Sequence, residues 1–334
     1  MEFGACNLEF MSIHKPVLLK ETIELLNLKE GMTVMDATLG GGGHSREILK
    51  KIGDVGKLIA IDLDEKAVEN FRRKNKEERR KQSKNIILVN GNFADLEKIL
   101  TDLKIRKVDA ILADLGWSSD QMGDAHRGMS FLVEAELDMR LSLRITNQYE
   151  CTNSNPNAKC IVNNYSEREL GRIIKEYGEE RFWKNIARKI VEYRRSKEIE
   201  TTKELAKIIE SAVPGKYSHG KIHPATRTFQ AIRIEVNQEL KNLERFIPQA
   251  ISVLAPGGRL AIISFHSLED RIVKTIYRAN ARGRVRTDEI TGQAIVETAP
   301  EIKIITKKPV TSGEDELEEN PRARSAKLRV CERR

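Results

Sequence analysis

The amino-acid sequence predicts an α/β protein in which one mostly parallel sheet is interrupted by an inserted helical domain. Short apolar strands alternate with helical segments in the first part of the chain, which is typical of βαβ units. From about residue 120 to 215 the periodicity is helical and no convincing strand occurs, and the alternation of strands and helices resumes afterwards. We therefore predict a core made of residues 11–119 and 216–334, with an insert at 120–215.

In the first half of the core, each element is predicted from its apolar spacing. Val17, Leu18 and Ile23 recur at helical spacing, and four apolar runs are short enough to be buried strands. The predicted elements are helices at 17–28, 46–52 and 65–82 and strands at 33–36, 57–62, 86–89 and 108–113.

In the second half, the predicted elements fall into the insert and the returning core. The insert has amphipathic helices at 167–195 and 202–213 after an Asn-rich surface loop at 147–164. The core resumes with a helix at 235–254, a turn at 256–258, a strand at 259–264 and two late strands at 301–306 and 327–332, read as an antiparallel pair. Glu314–Glu319 is an acidic run that we interpret as a solvated loop.

Composition limits the class of protein. The 334 residues are 40% hydrophobic and 32% charged, which fits one or two water-exposed domains. The net charge of +8 permits a polyanionic partner without proving one, and 5% aromatic residues argue against a large stacking platform. No apolar run is long enough to span a bilayer, and the first ten residues do not resemble a signal peptide.

The four cysteines do not form a disulfide scaffold, and none lies in a C-x-x-C pair. Cys151 and Cys160 flank a polar loop, where they could bind a metal or oxidise together, but the sequence favours two unrelated thiols. A reducing cytoplasm is the expected location.

A glycine-rich turn follows the first predicted strand. The strand ends in Asp36, and Gly40–Gly43 precede a helix, so the backbone can approach a ligand at the helix N-terminus. Ser45 stands where the dinucleotide fingerprint needs a glycine, and no P-loop lysine follows. A simple loop is the alternative. Asp62 ends the second strand about twenty residues later, where an acid can accept hydrogen bonds from ribose hydroxyls. Together these features favour a nucleoside-containing cofactor.

The fourth predicted strand ends in Asp114 and a loop of small residues. Ligands of open α/β sheets bind at the carboxyl ends of strands, so Asp114 should face the same crevice as Gly40–Gly43 and Asp62. The alternative is that Asp114 only caps the next helix. The coincidence of three such strand ends favours a binding site.

Eight sequence blocks resemble the bacterial ribosomal RNA small-subunit methyltransferase H family, also called MraW. They follow the family's order and are Asp36–Ser45, Ala60–Asp64, Asp114–Ser119, Arg127–Phe131, Leu137–Arg140, His223–Ala231, Ser264–Arg271 and Asn320–Ser325. The resemblance implies a Rossmann-like class I methyltransferase sheet, S-adenosylmethionine as cofactor, and N4-methylation of cytosine 1402 in the decoding centre of 16S rRNA. The small ribosomal subunit would be the partner, and a homodimer is implied. We expect no metal.

The same resemblance carries specific roles to individual residues. It implies cofactor contacts at Gly42, Gly43, His44, Asp62, Phe93, Asp114 and Gln121. Asp114 would also be catalytic, accepting hydrogens of the cytosine amine. The chain departs from the family at Trp117, at His126 and in the long segment 147–164. These departures affect the loops that would contact RNA.

The target RNA needs further contacts, for which the insert is the natural candidate. Its basic side chains are Arg168, Arg172, Lys175, Arg181, Lys184, Arg188, Lys189, Arg194 and Arg195. Interspersed glutamates make an ordinary solvated helix face the alternative. Arg227, His266 and Ser267 could contact phosphate or substrate, or could only join the insert to the core. A DNA amino-methyltransferase and a non-enzymatic assembly factor remain the alternative functions.

Overall fold

The computed structural model describes residues 15–77, 85–116, 127–141, 156–218, 223–287 and 294–334. A seven-stranded sheet has the order β3-β2-β1-β4-β5-β9-β8, and β6 and β7 form a separate hairpin. The strands are β1 (Thr33–Asp36), β2 (Lys57–Asp62), β3 (Ile86–Asn90), β4 (Val108–Asp114), β5 (Leu254–Ser264), β6 (Arg284–Thr287), β7 (Ala294–Thr298), β8 (Ile302–Ile304) and β9 (Lys327–Arg333).

Helices flank this sheet and fill the connection between β4 and β5. They are α1 (Leu19–Leu26), α2 (Gly43–Ile52), α3 (Glu65–Glu77), α4 (Leu96–Asp102), α5 (Ala158–Asn164), α6 (Glu167–Glu176), α7 (Trp183–Arg194), α8 (Thr202–Ala212), α9 (Gly215–Ser218), α10 (Ala225–Asn237), α11 (Glu239–Val253), α12 (Ser267–Arg282) and α13 (Glu314–Glu319). Within the described residues, no helix is long and apolar enough to cross a membrane.

The strand directions confirm the predicted α/β class. Strands β1 to β5 are parallel, and β9 runs antiparallel to both β5 and β8. Asp36 at the end of β1 is in register with Ala60 of β2 and Leu112 of β4. The carboxyl ends of these three strands therefore meet at one edge of the sheet.

The sheet is buried on both faces, which explains why its central strands read as continuous apolar runs. On one face, Ile59 and Ile111 pack in the same cluster as Phe246 of α11. On the other face, Leu58 packs in a cluster with Ile48 of α2. Because both faces are covered, only the strand ends remain to form a ligand site.

The insert has its own apolar core, formed by α5 to α8 together with α10. No element was predicted over most of α10, which is a helix that buries Phe229 and Ile232 in this core at helical spacing. The insert boundary at residue 215 stays a prediction, and the contacts of α10 favour a boundary nearer 237.

Several smaller expectations also differ from the structure. The last residues of the predicted loop 147–164 form the helix α5, and the predicted turn 256–258 lies within β5. The predicted helix 235–254 is interrupted at Gln238, whose φ of 49° ends α10 before α11 begins. The predicted helix 167–195 is two helices, α6 and α7. The acidic run is the short helix α13 rather than a loop, with acidic residues in its first turn, where the helix dipole favours them. Cys160 is disulfide-bonded, so the prediction of two unrelated thiols is wrong.

Candidate active site

A cleft opens at the edge of the sheet where β1, β2 and β4 end. The turn Gly40–Gly43, Asp62 and Asp114 all line it, and it contains about 1150 Å³ of space including its mouth. Gly42, Gly43, His44 and Phe93 line it as well, so six of the seven predicted cofactor residues share one cleft. The seventh, Gln121, lies outside the described residues, as do Trp117 and His126.

The glycine turn is shaped by close packing. Gly42 has a φ of +73°, and a Cβ built on it would lie 2.3 Å from Cδ2 of Phe71. No larger residue fits there without displacing the ring. Helix α2 begins at Gly43, so its first amide groups lie beside the cleft without helical acceptors. The turn therefore presents bare backbone and a helix N-terminus to a ligand.

Asp62 is tied to this turn. Its Oδ2 accepts a 2.7 Å hydrogen bond from the amide of Gly40, and its Oδ1 accepts one of 2.8 Å from the amide of Asp64. Burial raises the pKa of Asp62 to about 6 despite these bonds. A carboxylate has further lone pairs, so Asp62 can still accept from a ribose hydroxyl.

The backbone amide of Asp114 has a hydrogen-bond partner, whereas one oxygen of its carboxyl group has none in the described residues. Its amide donates to Oγ1 of Thr38 at 2.6 Å, while its buried Oδ1 has no hydrogen-bond partner in the described part of the chain. Burial and, to a smaller extent, the neighbouring Asp36 raise the pKa of Asp114 to about 8, and Arg322 opposes the rise. A donor entering the cleft would satisfy this acceptor.

His44 lies next to Asp114 in the wall of the cleft. Its Nδ1 lies 3.5 Å from Oδ2 of Asp114, and its Nε2 lies 3.1 Å from the carbonyl oxygen of Val17. Because a carbonyl only accepts, Nε2 must carry a proton, which leaves Nδ1 of a neutral ring as an acceptor toward Asp114. His44 is therefore placed to share a proton with this carboxyl group.

A third aspartate at this edge of the sheet is Asp36. Its Oδ2 accepts a 2.6 Å hydrogen bond from Oγ of Ser45, and burial raises its pKa to about 7. Together, the buried Asp36 and the half-buried Asp62 and Asp114 form a group of carboxyl groups with raised pKa values, which is typical of functional sites.

Phe93 packs in the core and also lines the cleft. Its ring packs edge-on against Phe246, with centroids 5.1 Å apart. It can therefore offer a flat apolar surface to a purine while anchored in the core.

The three candidates for substrate contact, Arg227, His266 and Ser267, do not line the cleft. Ser267 Oγ donates to Glu179 at 2.6 Å, and Arg227 lies 3.4 Å from the Glu179 carbonyl oxygen. His266 Nε2 lies 3.2 Å from Oε1 of the buried Glu269. The Ser267–Glu179 contact joins the insert to the core, and direct contact of the three residues with substrate stays a prediction.

Several cleft residues were not predicted as site residues. Six of them are Leu141, Asn237, Glu239, Asn242, Glu269 and Arg322. Two of them, Glu269 and Arg322, lie in blocks that resemble the family, so those blocks held a usable signal. The other four lie outside any glycine turn or strand end, and no sequence pattern marked them.

One side-chain group beside the cleft has atoms close enough to hold a metal ion. Ligand atoms of Glu239, His266 and Glu269 all lie within 4.8 Å of one another. The sequence showed no metal spacing because the group joins α11 to the start of α12. Both carboxylate oxygens of Glu239 already accept from the guanidinium of Arg233 at 2.8 Å, and Glu269 accepts from the amide of Phe265. The carboxylates of Glu239 and Glu269 therefore already have partners, and His266 Nε2 lies 3.2 Å from Oε1 of Glu269.

The strand order, the glycine turn after β1 and the acids ending β2 and β4 define a Rossmann-like methyltransferase of class I. The chain belongs to the MraW methylase family, whose model matches residues 11–334. It is therefore an S-adenosylmethionine-dependent methyltransferase, which confirms the predicted cofactor and argues against an inactive assembly factor.

Relatives match over nearly the whole chain. A Clostridium botulinum protein named ribosomal RNA small subunit methyltransferase H is 48% identical over 95% of this chain and 98% of its own length. Proteins of the same name from Halothermothrix orenii and Syntrophus aciditrophicus are 46% and 45% identical, each over 96% of this chain and 98% of their own lengths.

Proposed function

We propose that this methyltransferase acts on 16S ribosomal RNA and transfers the methyl group of S-adenosylmethionine to N4 of cytosine 1402 in the decoding centre. The observation that carries the proposal is the single cleft in which the glycine turn, Asp62 and Asp114 meet. The shared name of the relatives supports small-subunit RNA as the substrate.

The residues of the cleft fit the cofactor. The bare backbone at Gly42 and Gly43 leaves room for its methionine part, Asp62 can hold its ribose, and Phe93 can cover its adenine. The cofactor supplies an electrophilic methyl group on a positively charged sulfur. The group of three carboxyl groups at this edge of the sheet is suited to that charge, since an opposite charge favours the ionised form of an acid.

Asp114 prepares the cytosine amine. The lone pair of this amine is delocalised into the pyrimidine ring, which makes it a poor nucleophile. When Oδ1 accepts one amine hydrogen, the nitrogen becomes more pyramidal and its lone pair becomes available. The nitrogen that accepts the methyl group would carry a positive charge, and the Asp114 carboxylate would take up its proton, which His44 Nδ1 could share.

The target base must leave any paired or stacked state to reach Asp114, so the RNA is locally single-stranded or the base is flipped. The insert, packed beside the cleft through α10, supplies the surface that holds the surrounding RNA. A ribosomal substrate implies a cytoplasmic enzyme, and the homodimer stays a prediction.

Methyl transfer from tritium-labelled cofactor to purified 30S subunits tests the proposal, with duplex DNA as the alternative acceptor. We expect label in 16S RNA alone, and nucleoside mass spectrometry should assign it to N4-methylcytidine at position 1402. Asp114→Ala should abolish transfer while leaving the fold intact. Label in DNA, or undiminished transfer by this variant, would contradict the proposal.

A further inference from the structure

The basic side chains of the insert fall into distinct groups in the structure. Arg172 lies 3.4 Å from Glu176 and from Glu235, and Lys189 lies 3.7 Å from Glu192. Arg194 donates to two backbone carbonyl oxygens and so fastens helices together. These three cations have structural partners and are poor candidates for binding a polyanion.

Three other cations contact aromatic rings. Lys175, Arg181 and Lys184 are exposed, and none forms an ion pair with a carboxylate in the described ranges of the chain. We call their surface the aromatic–basic patch, and its members are Lys175, Arg181, Phe182, Trp183, Lys184 and Tyr217.

Each ring of the patch lies beside at least one cation. The Nζ atoms of Lys175 and Lys184 lie 5.5 and 5.3 Å from the centre of the Trp183 ring. Cζ of Arg181 lies 4.8 Å from the centre of Phe182 and 4.6 Å from that of Tyr217. A cation over a ring keeps its charge while the ring restrains its position, so the patch presents ordered positive charge next to aromatic surface.

The patch is connected to the catalytic cleft. Arg181 follows Glu179 by two residues, and the Glu179 carboxylate accepts hydrogen bonds from Ser267 and from Arg271 at the start of α12. Phe265, two residues before Ser267, lines the cleft. The patch therefore adjoins the contact between insert and core that borders the cleft.

We propose that the aromatic–basic patch binds a single-stranded segment of the RNA that carries the target base, an inference that rests on the proposed function. Single-stranded RNA offers phosphates to the cations and unstacked bases to the rings, and this pairing is general for proteins that bind it. An RNA duplex keeps its bases inside and an acidic peptide has none, so neither would use both components of the patch.

Charge substitutions test the proposal. A double variant, Lys175→Gln with Lys184→Gln, is compared with Lys203→Gln and Lys207→Gln on α8, which remove the same charge from exposed lysines outside the patch. Binding of a fluorescent single-stranded 16S RNA fragment is measured from 50 to 300 mM KCl with the full-length enzyme and S-adenosylhomocysteine. The patch variant should lower the slope of log K against log salt by about 1.4, because each lost phosphate contact contributes about 0.7.

Steady-state kinetics and cross-linking provide independent readouts. With 30S subunits, the patch variant should raise KM about tenfold or more while kcat stays within about twofold, and Arg181→Gln should act in the same direction. RNA containing 4-thiouridine next to the target base should cross-link to the peptide that contains Phe182 and Trp183.

The outcomes separate this inference from the proposed function. A patch variant with the salt slope and KM of the control variant would overturn the inference, as would cross-links confined to other peptides. A wild-type enzyme that fails to methylate 30S subunits, although its RNA binding depends on Lys175 and Lys184, would contradict the proposed function and support the patch.

Discussion

Replacing Asp114 by asparagine should stabilise the protein without cofactor, and the gain should grow with pH. Burial raises the pKa of Asp114 from 3.8 to about 8. Between pH 3.8 and about 8, the carboxyl group of Asp114 is protonated in the folded protein and ionised in the unfolded chain. For an acid with a raised pKa, stability therefore falls as the pH rises through this window. Asparagine cannot ionise in either state, so this loss disappears in the variant.

The size of the effect follows from the shift in pKa. Each pH unit inside the window changes the free energy of unfolding by about 1.36 kcal/mol. From pH 5 to pH 7, the stability advantage of Asp114→Asn should increase by about 2.7 kcal/mol. Constant effects of the amide on packing cancel in this difference, because they contribute equally at both pH values.

Urea unfolding followed by circular dichroism at pH 5 and pH 7 measures this difference. Asp270→Asn is the matched control. Burial would raise the pKa of Asp270, but two hydrogen bonds from Arg329 hold this pKa below the ordinary value, so Asp270 is ionised at both pH values. That variant should lose stability by a nearly constant amount over the same range. An Asp114→Asn effect that is equal at both pH values would refute the assignment of a half-buried, protonated Asp114.

Three further predictions concern the cleft and its support. With saturating cofactor, the rate of methyl transfer should rise between pH 6 and 8 as Asp114 loses its proton, with a midpoint below 8 because the sulfonium charge favours the carboxylate; a flat profile in single-turnover assays would contradict this. Gly42→Ala should weaken cofactor binding at least about tenfold in calorimetry, because the new Cβ would collide with Phe71 and the φ of +73° is strained, and wild-type affinity would count against the fitted turn. Arg127→Met should cost about 3–5 kcal/mol of unfolding free energy, because it leaves the carboxylate of Asp64 buried without the guanidinium that lies 2.8 Å away; a loss under 1 kcal/mol in urea titrations would contradict that estimate.

The elements recognised from sequence are those whose signals are local. Strands β1, β2 and β4 are apolar runs bounded by polar or glycine-rich segments, so their positions could be predicted within about a residue or two. Helix α10 was not predicted, because the polar residues around Arg227 were interpreted as possible contacts to phosphate or substrate, whereas the apolar residues of this segment pack in the insert core. The helical conformation of this segment was therefore determined by tertiary packing and not by a local sequence signal.

The site shows the same division. Gly42, Asp62 and Asp114 were predicted because a glycine turn and acids at strand ends are visible in the sequence and parallel strands bring their carboxyl ends together. Glu239 and Asn242 were missed because they reach the cleft from α11, whose pattern is that of an ordinary amphipathic helix.

The sequence by itself determined the parallel sheet, the glycine turn, the acids at the strand ends and the family, because short contiguous stretches of residues are enough to recognise each of them. Only the tertiary structure decided the raised pKa of Asp114, its contact with His44 and the grouping of lysines and arginines on aromatic rings. These properties depend on burial and on distances of a few ångströms between side chains from separate elements, and neither quantity exists until the chain has folded.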